Sequence, residues 1–141
     1  MIVLALTIAV GVGGYVYVTS PDHQSERRPE AGQANTALAE VSLPEALSAR
    51  GKLGQRAFDA KCASCHGRNA AGRDGLAPPL VHNIYEPGHH GDESFQRAVA
   101  MGVRAHHWTF GNMPPVEGLS RGDVSLIVAY IRELQRANGI Q

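Results

Sequence analysis

The chain opens on an unbroken apolar run and closes on an apolar stripe of helical period. Polar stretches punctuated by glycine and proline lie between. Met1 to Val18 carries no charge and is nearly all apolar. As a helix it would span about 27 Å, close to the hydrocarbon thickness of a bilayer. Tyr15 and Tyr17 stand where an interfacial aromatic belt would sit. We therefore expect a single transmembrane helix over residues 1–19. Ala5, Ala9 and Gly13 recur at four-residue spacing, a small-residue face that lets two membrane helices approach. No Lys or Arg precedes Arg27, and Ala9-Val10-Gly11 is a feeble cleavage site. That pattern reads as an uncleaved signal-anchor rather than a removed leader.

Residues 20–44 are polar, lack apolar periodicity and read as a flexible linker. Residues 45–141 carry the helical patterns of one small domain. A first helix is expected from near Pro44 or Ser48 to about Cys62, with Leu47, Leu53, Ala57 and Phe58 inward. Gly54 inside it suits a close helix crossing, because a missing side chain permits approach. Residues 67–91 are loop-like, with Gly72, Gly75, Pro78, Pro79, Pro87 and Gly88. Asp92 to Met101 reads as a short helix with Phe95, Ala98 and Val99 inward, stopped at Gly102. Met101 at its end reads as a core residue. The last helix is the clearest. Ser120 followed by Asp123 resembles a capping box, and Val124, Ile127, Val128, Ile131 and Leu134 repeat at helical spacing. Asn138-Gly139 ends it. No alternating strand pattern stands out, so the expected fold is all-α.

Composition narrows the partners. Of 141 residues, 13 are Lys or Arg and 13 are Asp or Glu, for a formal net charge of zero. That balance argues against a nucleic-acid partner. The 43% apolar content is ordinary, and the domain alone is long enough for one small core.

The chemistry concentrates in Cys62-Ala63-Ser64-Cys65-His66. A C-x-x-C-H run reads as the attachment site of a c-type haem. Two thiols add across two vinyl groups and leave two thioether bonds. The histidine that follows becomes an axial ligand of the iron. Met113, in Gly111-Asn112-Met113-Pro114-Pro115, is the candidate for the opposite axial position. Pro114 and Pro115 restrict the backbone beside it. A zinc half-site or a redox disulfide would use the same cysteine spacing. Structural zinc wants four ligands at set spacings, and the adjacent pairs His89-His90 and His106-His107 do not supply them. A secondary copper or zinc site on those pairs lacks a third ligand in the sequence. His106 and His107 also compete with Met113 by proximity along the chain. His23, His82, His89 and His90 read as solvated loop residues.

With these residues in place, the chain resembles a class I c-type cytochrome with one haem. The resemblance rests on Gly54, Phe58, the Cys62–His66 run, Pro78 and Leu80, Met113, and Tyr130 in the last helix. It implies a small cytochrome c fold wrapped round one covalent haem. It also implies that Gly54 and Phe58 meet Tyr130, and that the Pro78 carbonyl accepts a hydrogen bond from His66. Pro78, Leu80 and Trp108 join the cofactor-binding set on the same basis, Trp108 through a propionate. Arg104 is a weaker propionate candidate.

Covalent haem attachment is normally completed outside the cytoplasm. The expected location is therefore a bacterial inner membrane, single-pass, with the haem domain on the periplasmic side. With His66 and Met113 on the iron, no coordination position stays open for substrate, so the chain reads as an electron carrier and not an enzyme. Expected partners are a quinol-oxidising complex on one side and a terminal oxidase, photosynthetic acceptor or dehydrogenase on the other. The alternatives are a fixed electron-transfer subunit of a larger membrane oxidoreductase, and a haem sensor or peroxidase that releases Met113. Ala63, Ser64, Gly67 and residues 113–116 would edge the haem, and Lys61, Arg68 and Arg73 would steer an acidic partner.

Overall fold

The computed structural model describes residues 36–141. The anchor expected over 1–19 and the linker residues 20–35 lie outside them. No helix among the described residues is long and apolar enough to cross a membrane. Among the described residues, four α-helices form in chain order: α1 (Ala49–Lys61), α2 (Ala63–His66), α3 (Asp92–Met101) and α4 (Arg121–Ala137). Two 3-10 turns, Arg68–Ala70 and Asn83–Tyr85, punctuate the loops. Extended pairing among the described residues is limited to two isolated bridges, Arg73 with Ala77 and Val103 with Met113. The mostly helical expectation holds.

The fold is organised by the crossing of α1 over α4. A Cβ added at Gly54 would lie 1.9 Å from the Leu126 carbonyl oxygen and 3.0 Å from the Tyr130 Cβ. Only glycine lets the two backbones come this close. Beside the crossing, Phe58 and Tyr130 are fully buried, with ring centroids 5.6 Å apart and planes tilted by 57°. Leu80, Val81, Ile127, Ile131, Leu134 and Ile140 complete the core. The α1 start is locked to α4. Ser48 Oγ accepts from Gly51 N at 3.0 Å and donates to Glu133 Oε1 at 2.6 Å, and Ser48 N donates to Glu133 Oε2 at 2.9 Å. The α4 start is a full capping box between Ser120 and Asp123.

Three expectations are corrected. Leu53 is exposed rather than inward, because the packed face of α1 is the Gly51–Gly54–Phe58 face. Met101 is 67% exposed rather than core. In α3 the most buried residue is Gln96, whose amide donates to Arg121 O and Ser125 Oγ, while Phe95, Ala98 and Val99 are only half-buried. Part of the expected linker is also bound to the domain. Leu38 N and Ala39 N both donate to Ala71 O, Asp74 N donates to Thr36 O, and Ser42 exchanges hydrogen bonds with Asn138. Val41 packs on the core.

Candidate functional site

The Cys62–His66 run continues α1 after a break at Cys62, whose N–H still reaches Phe58 O at 2.7 Å. Cys65 N and His66 N then bond back to Cys62 O, which closes the short turn of α2. Both thiols are free, Cys65 exposed and Cys62 half-buried. Burial, and then the neighbouring Cys65, pushes the Cys62 thiol up to about 11. Reactive thiols and thiolate metal ligands sit in settings that lower the pKa, and Cys62 lacks such a setting. Nor do Cys62, Cys65 and His66 converge as a metal-binding group among the described residues.

After α2 the chain turns back under His66. Gly67 and Gly72 both adopt positive φ, at 73° and 77°. A Cβ at Gly67 would lie 2.4 Å from Gly72 O, and one at Gly72 would lie 2.5 Å from Pro79 N. Gly72 N donates to His66 O at 2.7 Å. The return brings Pro78 O to 3.0 Å from His66 Nδ1. A carbonyl can only accept, so Nδ1 carries the proton and Nε2 keeps its lone pair. Burial holds the His66 ring below the ordinary imidazole range, against the opposing pull of this hydrogen bond. The ring is therefore neutral at pH 7, as a metal ligand must be. Leu80 follows in the core, its N–H on Ala70 O at 2.8 Å.

Met113 sits on a separate loop. Its backbone exchanges both hydrogen bonds with Val103, at 2.9 and 3.0 Å, just past the end of α3. Gly102 makes the approach possible, since a Cβ there would be 2.5 Å from Met113 O. Val116 N then donates to Val99 O, so Met113 and both prolines are clamped between two anchors. Trp108, on the same loop, stacks on Phe110 at 5.7 Å and meets His82 edge-on at 5.3 Å. Its Nε1 is buried and makes no hydrogen bond of ordinary geometry. The Tyr85 side chain lies beside it, and a carboxylate arriving at this point would offer the indole N–H a stronger, charged acceptor. Arg104 is exposed, and its carbonyl is taken by His106 Nδ1. The donor set thus fits a haem: two free thiols in one turn, an imidazole with one nitrogen committed, a clamped thioether and a buried indole N–H.

A pair that the sequence pattern did not single out holds the loop between Leu80 and Gly91. Arg132 and Gln135 are both buried in α4. The Arg132 guanidinium donates to Asp92 Oδ1, Tyr85 O, Gln135 Oε1 and His90 O, at 2.6 to 3.0 Å. The Gln135 amide donates to Leu80 O and Tyr85 O. Their signal was present: two polar residues three apart beside Ile131 and Leu134, inside an otherwise apolar stripe. The histidines of that loop are not simply solvated. His90 is half-buried, with Nδ1 donating to Ile84 O at 2.6 Å, and His82 caps the Asn83–Tyr85 turn by accepting from Ile84 N. His23 lies outside the described residues.

Comparison with known proteins adds one match. The family model described as Cytochrome c covers residues 51–135, from the α1 glycines to the buried Gln135. No curated protein and no solved structure matches the chain.

Proposed function

The chain belongs to the cytochrome c family, and on that premise we propose that it carries single electrons between membrane complexes while tethered to the bilayer. It is an electron-transfer haem protein with covalent haem c; the tether, the ligand roles and the partners are our reading. The observation that carries the ligand assignment is the His66 Nδ1 to Pro78 O hydrogen bond at 3.0 Å. It commits one ring nitrogen and leaves Nε2 as the iron ligand, with the ring orientation and basicity set by the carbonyl. Haem c, when bound, supplies one reversible electron at its iron.

The chain's own residues do the rest. Cys62 and Cys65 hold the macrocycle through thioethers. Met113 supplies a sulfur, which favours the reduced iron and raises the potential. With His66 and Met113 as the ligands, the protein would leave no site for oxygen or substrate at the bound haem, which is what a carrier needs. The Trp108 indole N–H would donate to a propionate of the bound haem. Ser64, Cys65, Pro114 and Pro115 are exposed and shorten the path to a docked partner. Lys61 and Arg68 flank this face, and steering by a few cations suits brief encounters. Residues 1–19 anchor the chain in an inner membrane, with the domain on the periplasmic side. A quinol-oxidising complex is the proposed donor and a terminal oxidase or dehydrogenase the acceptor.

One observation favours a fixed subunit of a membrane oxidoreductase as the second reading. Thr36 to Ser42 is bonded to the domain, so less chain separates the proposed anchor from the haem.

Fractionation of cells expressing the haem-loaded chain tests the tether. The chain should sediment with membranes after a high-salt wash and should become soluble once residues 1–35 are replaced by a cleavable export leader. A full chain found in the soluble fraction overturns the tether. Co-purification with a larger complex in detergent selects the fixed subunit, and tight carbon monoxide binding at neutral pH selects a sensor or peroxidase.

A further inference from the structure

Four of the histidines left over from the haem site converge on one surface patch. His89 and His90 follow the Asn83–Tyr85 turn, and His106 and His107 lie in the loop between α3 and Met113. The ring centroids of His90 and His107 are 5.4 Å apart, and those of His89 and His107 are 5.5 Å apart. His106 stands 4.2 Å from His107. The sequence offered two adjacent pairs and no third ligand for either. The fold supplies the third by bringing one pair against the other. One ligand nitrogen from each of His89, His90 and His107 lies within 4.8 Å of the others.

From this arrangement the geometry points to a second metal site, in which His89, His90 and His107 bind one zinc or copper ion. Tetrahedral zinc holds its ligand nitrogens at about 2.0–2.1 Å, which places them roughly 3.4 Å from one another. Rotation of the two exposed rings, His89 and His107, covers the remaining distance. The donor chemistry selects the ion. No carboxylate shares the group among the described residues, which disfavours magnesium and calcium, whereas neutral imidazoles suit zinc, copper and nickel.

The patch is built rather than accidental. His90 Nδ1 donates to Ile84 O at 2.6 Å, the outer hydrogen bond that metal-binding histidines ordinarily make, and Nε2 is left for the ion. The His90 carbonyl is held by Arg132 at 2.6 Å, and the backbone N–H groups of His89 and His90 both donate to Glu86 O. On the other loop, Ala105 N donates to Asn112 Oδ1 at 2.9 Å. Both backbones are therefore fixed before the ion arrives, which lowers the ordering cost of binding. A shared ion would join the loop that follows Leu80 to the loop that carries Trp108 and Met113.

The test uses the haem-loaded full chain, so that His66 is already occupied, and titrates it with zinc chloride alone and with copper sulfate alone by calorimetry. One ion per chain is expected, with micromolar or tighter affinity. His107→Gln should weaken binding at least tenfold. His107 is exposed, so that variant keeps its fold, which an unchanged haem absorption spectrum checks. His90→Gln should weaken binding by a similar factor, while Met101→Leu should leave it unchanged. Absence of stoichiometric binding of either ion to the parent chain, or equal affinity in His107→Gln, overturns the site. Because the haem spectrum is read separately, failure of this site leaves the electron-transfer reading untouched.

Discussion

His66 Nδ1 and the Pro78 carbonyl oxygen, twelve positions apart in the chain, face each other at 3.0 Å. The contact depends on backbone that only glycine accepts. Gly72 has φ of 77° and no room for a Cβ beside Pro79 N. Gly72→Ala is expected to cost about 1–3 kcal/mol, read as a lower denaturation midpoint. It should also shift the reduction potential, because the carbonyl moves away from the ring. A lower midpoint with an unchanged potential would separate loop strain from ligand tuning.

The helix crossing makes a sharper contrast. Gly54→Ala drives a Cβ into the Leu126 carbonyl, and overpacking at a backbone contact is expected to cost about 3 kcal/mol or more. Gly88 has open space around it and no positive φ. Gly88→Ala should be neutral or stabilising by up to about 1 kcal/mol. Urea titrations of the two variants check the difference directly.

The buried clamp in α4 has unequal ends. Arg132 is buried, whereas the Asp92 side chain is 72% exposed. Asp92→Asn is therefore expected to cost less than about 1 kcal/mol. Arg132→Met strands the His90 carbonyl and Gln135 Oε1, while Tyr85 O keeps the Gln135 amide, and leaving such groups unpaired costs about 1–3 kcal/mol. Chemical denaturation of both variants reads this ordering, and equal losses would contradict it.

How much of this was legible in the sequence follows from the range of each interaction. The Asp92–Met101 helix, the Ser120 cap and the Gly54 crossing are local patterns or single-residue signatures, and the structure carries all three. The Pro78 acceptor was implied by resemblance and is present as a hydrogen bond. Leu53 misled because an apolar residue in α1 was assigned inward without knowing which face the glycines present, and Met101, the last residue of α3, is exposed. The Arg132–Gln135 clamp and the meeting of the two histidine pairs were out of reach for another reason. Each joins residues some 15 to 50 positions apart, and only the folded loops bring them together.

Acid stability should depend on the α4 cap. The Ser120 hydroxyl, and then its backbone N–H, hold the Asp123 carboxyl below its ordinary value of 3.8. A carboxylate with a depressed folded pKa stabilises above the unfolded value and loses that contribution as pH falls through the folded one. Asp123→Asn should therefore lower the melting temperature at pH 6 and lose its effect well below pH 3.8. Separately, Ser120→Ala is expected to cost about 1 kcal/mol at neutral pH, as removal of an N-cap does. Thermal melts across the acid range check both.

The most direct test of the central claim is a redox titration, followed by absorption, of the haem-loaded chain beside Met113→Ala and Met101→Ala. The parent chain should keep its haem after denaturation and show the red charge-transfer band of methionine ligation when oxidised. Met113→Ala should lose that band, fall in potential and bind carbon monoxide when reduced, while Met101→Ala matches the parent. An unchanged band and potential in Met113→Ala would contradict the assignment of Met113 to the iron.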